Sequence, residues 1–174
     1  MFDLDTSTAN AIVMAPIDKI DLSTWLFTLK SEEYERCAAR HLGCTQSKMM
    51  SGKRVMINVE QVAHAFMVQH FMETISEKNR VKVVSPHSVC WPNDLYMTRA
   101  AVTWELFLEP LTENTCTLYG NITVRTDDEI YASLIQDSKE VEPDGDVSWK
   151  RHLEEETYNF ARNITQKALH GIWR

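Results

Sequence analysis

Residues 148–171 read SWKRHLEEETYNFARNITQKALHG. Trp149, Leu153, Phe160, Ile164 and Ala168 form one apolar arc when residues are placed about 100° apart on a helical wheel. The pattern predicts a C-terminal helix from Ser148 to about Ala168. Glu156 lies inside the edge of that arc and His152 on its shoulder. Being four residues apart, the two share a side of the helix and can reach a common point. Zinc accepts such nitrogen and oxygen ligands. An acidic first turn, Glu154 to Glu156, that favours the helix N-terminus accounts for the same residues without any ligand.

Upstream, the pattern changes from helical to strand-like. Thr8 to Met14 reads as a first strand ended by Pro16. A helix pair follows through LSTWLFTLKSEEYERCAARHL, with Asp21 or Ser23 as cap and a break or second start at Ser31. Trp25, Leu26 and Leu29 are expected in the core. Gly43 to Gly52 is polar and reads as a loop, and His41 reads as a helix-end residue without a function. VMINVEQVAHAFMVQHFMETI (55–75) divides into two strands joined tightly near Gln61 to Ala65. Ser76 to Asn79 is a turn, and RVKVVSP a strand ended by Pro86. His87 to Leu95 reads as a loop. YMTRAAVTWELFLEP and CTLYGNITVRT form a hairpin across LTENT. Asp127 to Ile135 is a short helix and Asp137 to Asp146 a flexible acidic loop.

Strands in hairpin order with helices at the ends argue for an α+β fold: a curved antiparallel sheet around a long C-terminal helix, with a short helix pair after the first strand. The 174 residues fit one domain, 1–174. A net charge of −7 offers no basic surplus for nucleic acid. Cys37, Cys44, Cys90 and Cys116 form no CxxC pair. No apolar run reaches membrane-spanning length, and the acidic N-terminus lacks the order of a signal peptide, so a cytoplasmic setting is expected. GxSxG, GxGxxG, HExxH and Walker patterns are absent.

The element order resembles the START-like helix-grip (SRPBCC) superfamily. The segments DLSTWLFTLKSEEY, INVEQVAHAFMVQHFMETI, VTWELFLEP and HLEEET are similar to bacterial members known only by that membership. The 2,4-diacetylphloroglucinol hydrolases of this superfamily cleave a carbon–carbon bond with zinc. Their ligands come in the order His, Glu, His, then Glu four residues later, the first two on strands and the last two on the final helix. That resemblance implies His70, Glu105, His152 and Glu156 as zinc ligands, and a hydrolase or lyase acting on a small aromatic or polyketide-like ketone in an internal cavity. Tyr96 and Tyr119 are the candidate proton donors. A non-metal ligand-binding protein or polyketide cyclase is the alternative. The expected partner is a small hydrophobic or aromatic molecule, and homodimerisation is the one protein contact left open.

The register of one strand tests this set. Ala100, Val102, Trp104, Leu106 and Leu108 are all apolar, so strict alternation turns them inward and Glu105 outward. Either a bulge resets that register, or the cavity face is the polar one, or another carboxylate, Glu60 or Glu73, takes the place of Glu105. His70 shares a face with Phe66, Val68 and Met72, an apolar company that suggests an inward position.

Overall fold

The computed structural model describes residues 1–94, 96–141 and 148–173. Seven antiparallel strands make one sheet: β1 (Phe2–Val13), β2 (His41–Lys48), β3 (Arg54–Val62), β4 (Ala65–Ser76), β5 (Arg80–Pro92), β6 (Thr98–Thr112) and β7 (Thr115–Thr126). Their spatial order is β1-β7-β6-β5-β4-β3-β2. Two short helices, α1 (Leu22–Leu26) and α2 (Ser31–Glu35), link β1 to β2. After β7 come α3 (Glu129–Val141) and α4 (Trp149–His170).

The helix pair begins where expected. The Asp21 carboxylate accepts from Thr24 N at 2.8 Å, and Trp25, Leu26 and Leu29 are buried. α4 starts at a Ser148 cap that accepts from Arg151 N and ends at Gly171, whose φ of 65° is the left-handed C-terminal stop. It buries Trp149, Leu153, Phe160 and Ile164 against the sheet. At Gly120 of β7 a Cβ would stand 2.7 Å from Thr157 Oγ1 of α4. A side chain at Gly120 would force Thr157 to move.

Several boundaries differ from the sequence expectation. β1 starts at Phe2 and not at Thr8, because β7 supplies pairing partners along its whole length. Residues 41–48, expected as a helix end through His41 and Leu42 and a loop from Gly43, form the edge strand β2. An edge strand does not need the alternating apolar pattern, and of its side chains only His41 is fully buried. Its polar residues bond the helix pair instead: Cys44 N donates to Ser31 Oγ at 3.1 Å, and Gln46 Nε2 donates to the Leu29 carbonyl at 2.5 Å. β5 runs on through Pro86 to Pro92, in place of the expected loop. A register shift between Ser85 and Ser88 places Pro86 where the ladder is already broken. The β3–β4 turn falls where expected, at Ala63 and His64, both with φ above +45°. These are the dihedral signs of a two-residue hairpin turn, made without glycine. α3 extends to Val141, so the start of the predicted acidic loop is helical. The remainder of that loop, 142–146, lies outside the described residues. No helix among the described residues is long and apolar enough to cross a membrane.

Candidate functional site: a buried His-Glu-His-Glu tetrad

β6 alternates strictly. Ala100, Val102, Trp104, Leu106 and Leu108 are buried, and Glu105 is on the opposite sheet face, paired to Arg80 Nη2 at 2.6 Å. No bulge turns it inward. His70 is exposed on that same outer face, between the inward-facing Gln69 and Phe71. Its apolar companions Phe66, Val68 and Met72 are half-buried there, which is why company alone is a poor guide to its direction. His70 and Glu105 therefore do not meet His152 and Glu156. Glu73 is also elsewhere, holding Arg54 Nε at 2.8 Å. Tyr119 stacks on Phe107 on the outer face, centroids 4.8 Å apart. Tyr96 lies beside Asp128, and its hydroxyl is raised by burial and by that carboxylate. Neither tyrosine lines the interior site. His64 is exposed at its turn, and His87 lines a separate open cleft of about 490 Å³ with Arg99 and Arg125.

His152 and Glu156 do face the interior, and two other residues meet them. His41, Glu60, His152 and Glu156 are 4, 5, 4 and 5 % exposed. His41 is the first residue of β2 and stands directly opposite Glu60 of β3. A register shift between His41 and Gly43 makes this pairing. In an unbroken ladder Leu42 would face Glu60; the bulge lets Leu42 swing out to solvent and aims His41 inward. α4 also holds the chain that leads into β2. Glu155 Oε1 accepts from Ala39 N at 3.1 Å, and Asn159 Nδ2 donates to the Cys37 carbonyl at 2.9 Å.

Each member is oriented by a neighbour. The Tyr34 hydroxyl donates to Glu60 Oε1, which Asn58 Nδ2 also approaches at 3.5 Å, so Oε2 is left toward His152. The Tyr34 ring stacks on His41, centroids 3.7 Å apart and 2° from parallel. His41 Nδ1 is 2.7 Å from the Tyr34 carbonyl oxygen. A carbonyl only accepts, so Nδ1 carries a proton. Nε2 then points at Glu156 Oε2, 3.2 Å away. In a neutral ring that would set a lone pair against a carboxylate, so a proton or a cation must lie between them. His152 Nε2 is 3.6 Å from Glu60 Oε2 and 3.7 Å from Glu156 Oε2, and neither of its ring nitrogens has a hydrogen-bond partner among the described residues.

Two protonation equilibria are displaced. Burial would lower His152, but Glu60 and Glu156 outweigh it and push the imidazole up to about 8. Burial would raise Glu60, but the neighbouring His152 and His41, with the Tyr34 hydrogen bond, hold the carboxyl well below the usual range. Both shifts favour the charged Glu60–His152 pair.

The donor set also fits a divalent ion. The ligand atoms of His41, His152 and Glu156 lie within 4.8 Å of one another. Bonds of about 2.0–2.2 Å to a tetrahedral zinc place ligand atoms roughly 3.3–3.6 Å apart. Within that group of three, Glu156 Oε2 is 3.2 Å from His41 Nε2 and 3.7 Å from His152 Nε2, close to that edge; Glu60 stands outside the group, 3.6 Å from His152 Nε2. A histidine whose other ring nitrogen donates to a backbone carbonyl, as in His41, is the common arrangement of a ligating imidazole. Beside the tetrad is a void of about 10 Å³, lined in part by Gln69 and Trp104. That is room for about one water molecule.

No protein-family model and no curated protein matches this chain. Solved structures do. The protein TTHA0849 of Thermus thermophilus aligns over 96% of this chain and 99% of its own at 12% identity, with a TM-score of 0.58. The Zhui aromatase/cyclase of Streptomyces sp. R1128 covers 97% and 95% at 9% identity, TM-score 0.55. A START superfamily protein of Mycobacterium smegmatis covers 95% and 97% at 9% identity, TM-score 0.50. The fold is the START-like helix grip. At these identities the likeness speaks for the fold alone.

Proposed function

We propose that His41, Glu60, His152 and Glu156 hold a divalent metal, zinc by their ligand chemistry, and that the protein is a metal-dependent hydrolase or lyase of carbonyl compounds. The observation that carries this is the His41 imidazole. Its protonated Nδ1 is fixed by a backbone carbonyl, and its Nε2 is directed at a buried carboxylate. The tetrad has the order His, Glu, His, then Glu four residues on, two on strands and two on the last helix. That is the order implied by the resemblance to diacetylphloroglucinol hydrolases, with His41 and Glu60 in the places that the sequence pattern assigns to His70 and Glu105.

A metal at this centre supplies Lewis acidity toward a carbonyl oxygen or lowers the pKa of a bound water. The residues of this chain do the rest. Tyr34 fixes both the Glu60 carboxylate and the His41 tautomer. α4 fixes the other two ligands at one helical turn. Phe160, Trp104 and Phe71 close the site to bulk water, with ring contacts of 5.8 Å. Strengthened electrostatics in such a dry surround favour charge development on a bound oxygen.

A second reading is supported by the likeness to the Zhui aromatase/cyclase: a metal-free cyclase or ligand-binding protein in which His152 acts as acid and base. The void of about 10 Å³ is too small for a polyketide and for any other carbonyl substrate, so it favours neither reading. Metal analysis of tag-free protein, purified without chelator, decides between the two. One equivalent of zinc, lost in His41→Ala, supports the metal centre. Metal-free protein carrying an aromatic molecule supports the cyclase reading and rejects the first.

A further inference from the structure

Apart from His152, whose Nε2 faces the two carboxylates, two residues around the small void carry a polar atom with no partner among the described residues: Trp104 Nε1 and Gln69 Oε1. Gln69 is 1% and Trp104 4% exposed, so solvent does not satisfy them. Buried polar groups are rarely left this way, and each orphan is destabilising. The volume suits one water-sized molecule, and Glu60, Glu156, His152, Phe71 and Ile122 complete the wall.

The signs of these groups select the occupant. The Trp104 indole N–H can only donate, and Gln69 Oε1 can only accept. One atom satisfies both only if it accepts one hydrogen bond and donates another. A ketone oxygen or a halide satisfies Trp104 alone; a water or hydroxide satisfies both. We propose that Trp104 and Gln69 form a one-water subsite beside the tetrad, holding the O–H group that the reaction consumes. This rests on the metal-centre reading for its role, though not for its existence, and narrows that reading to hydrolysis. Trp104 and Gln69 are then positioning residues: the indole N–H supports negative charge on the oxygen, and the amide oxygen accepts a hydrogen bond from its O–H and sets its orientation.

The test has two arms. In a high-resolution crystal structure of the whole chain as purified, one ordered oxygen is expected within hydrogen-bond distance of both Trp104 Nε1 and Gln69 Oε1. In the second arm Co²⁺-loaded protein is titrated with fluoride, an acceptor of hydroxide size, and read by visible absorption. Trp104→Phe is expected to weaken fluoride binding about tenfold or more. Gln69→Met is expected to leave it unchanged or strengthen it, because fluoride cannot donate and the displaced water has lost a partner. A dry void, or fluoride binding equal in Trp104→Phe and the unaltered chain, overturns the proposal. Failure to take up Co²⁺ while the ordered oxygen is present rejects the metal centre and leaves the subsite standing. Should Trp104→Phe not fold, the ordered oxygen and its loss in Gln69→Met decide.

Discussion

The two halves of the tetrad are built in different ways. His152 and Glu156 are joined by one helical turn, so their separation is fixed by covalent geometry as soon as the helix forms. His41 and Glu60 are brought together by an antiparallel register and by a bulge that selects His41 over Leu42. The helical half needs only local order; the strand half needs the sheet edge to be right. Yet each half contributes one histidine and one carboxylate, and the shortest cross-contact, 3.2 Å from His41 to Glu156, ties the halves together.

The largest expected effect tests whether the halves are equal partners. His41→Ala and Glu60→Ala should weaken Zn²⁺ binding as much as His152→Ala and Glu156→Ala do. Each loss should exceed the roughly 10–100-fold typical of outer-shell changes. Competition titration with a chromophoric chelator measures it. Unchanged affinity in His41→Ala with lost affinity in His152→Ala would mean that the strand half is only scaffolding.

The same contrast explains what can be read from the chain. The helix grip is legible because α4, the β6–β7 hairpin and the tight β3–β4 connection each carry strong local patterns. His152 and Glu156 follow from α4 alone. His70 and Glu105 are misplaced as ligands because a ligand order says nothing about sheet faces; β6's own alternation points Glu105 outward, and the structure agrees. His41 escapes notice because β2, a polar edge strand, looks like a loop. One signal is available. If 41–62 is a hairpin turning near Gly52, antiparallel pairing sets residue 41 or 42 opposite Glu60. Sequence cannot choose between those two, because the choice is made by the bulge.

A second expectation, of about 2 kcal/mol, concerns the metal-free tetrad. His152 is raised from its ordinary 6.5 to about 8. Its stabilising contribution is complete below about 6.5 and is lost as pH rises through about 8. The depressed Glu60 contributes above its ordinary 4.5, and its share is lost as pH falls below that value. Metal-free protein should thus be most stable between about pH 4.5 and 6.5. Urea titrations across pH should show the alkaline decline, and His152→Gln should remove it. A metal that takes the place of the shared proton should release about one proton on binding at pH 7. Calorimetry in buffers of different ionisation enthalpy counts it.

Tyr34 supports only the strand half. Tyr34→Phe keeps the ring stacked on His41 and the backbone carbonyl that fixes its tautomer, while removing the donor to Glu60. Stability should fall by about 1–2 kcal/mol, and Zn²⁺ affinity by about tenfold, within the outer-shell range. An affinity unchanged alongside the stability loss would show that Glu60 needs no help to hold a ligand orientation.

The smallest effect is expected on the other side of the sheet. His70 and Glu105 have the residue types of the tetrad and sit on strands of the same sheet, but with the opposite parity. His70 is exposed, and its removal should change neither stability nor metal binding beyond about 0.5 kcal/mol. Glu105→Ala loses the ion pair to Arg80, a side chain half open to solvent, so at most about 1 kcal/mol should disappear, and less at high salt. Zn²⁺ affinity should be unaltered in the double variant His70→Ala/Glu105→Ala. This is the sharpest control on the comparison, because a loss of metal there would put the ligands on the outer face of the sheet, where His70 and Glu105 lie. Parity along β4 and β6 argues that it will not: the residues flanking His70 and Glu105, namely Gln69, Phe71, Trp104 and Leu106, are the ones that face α4.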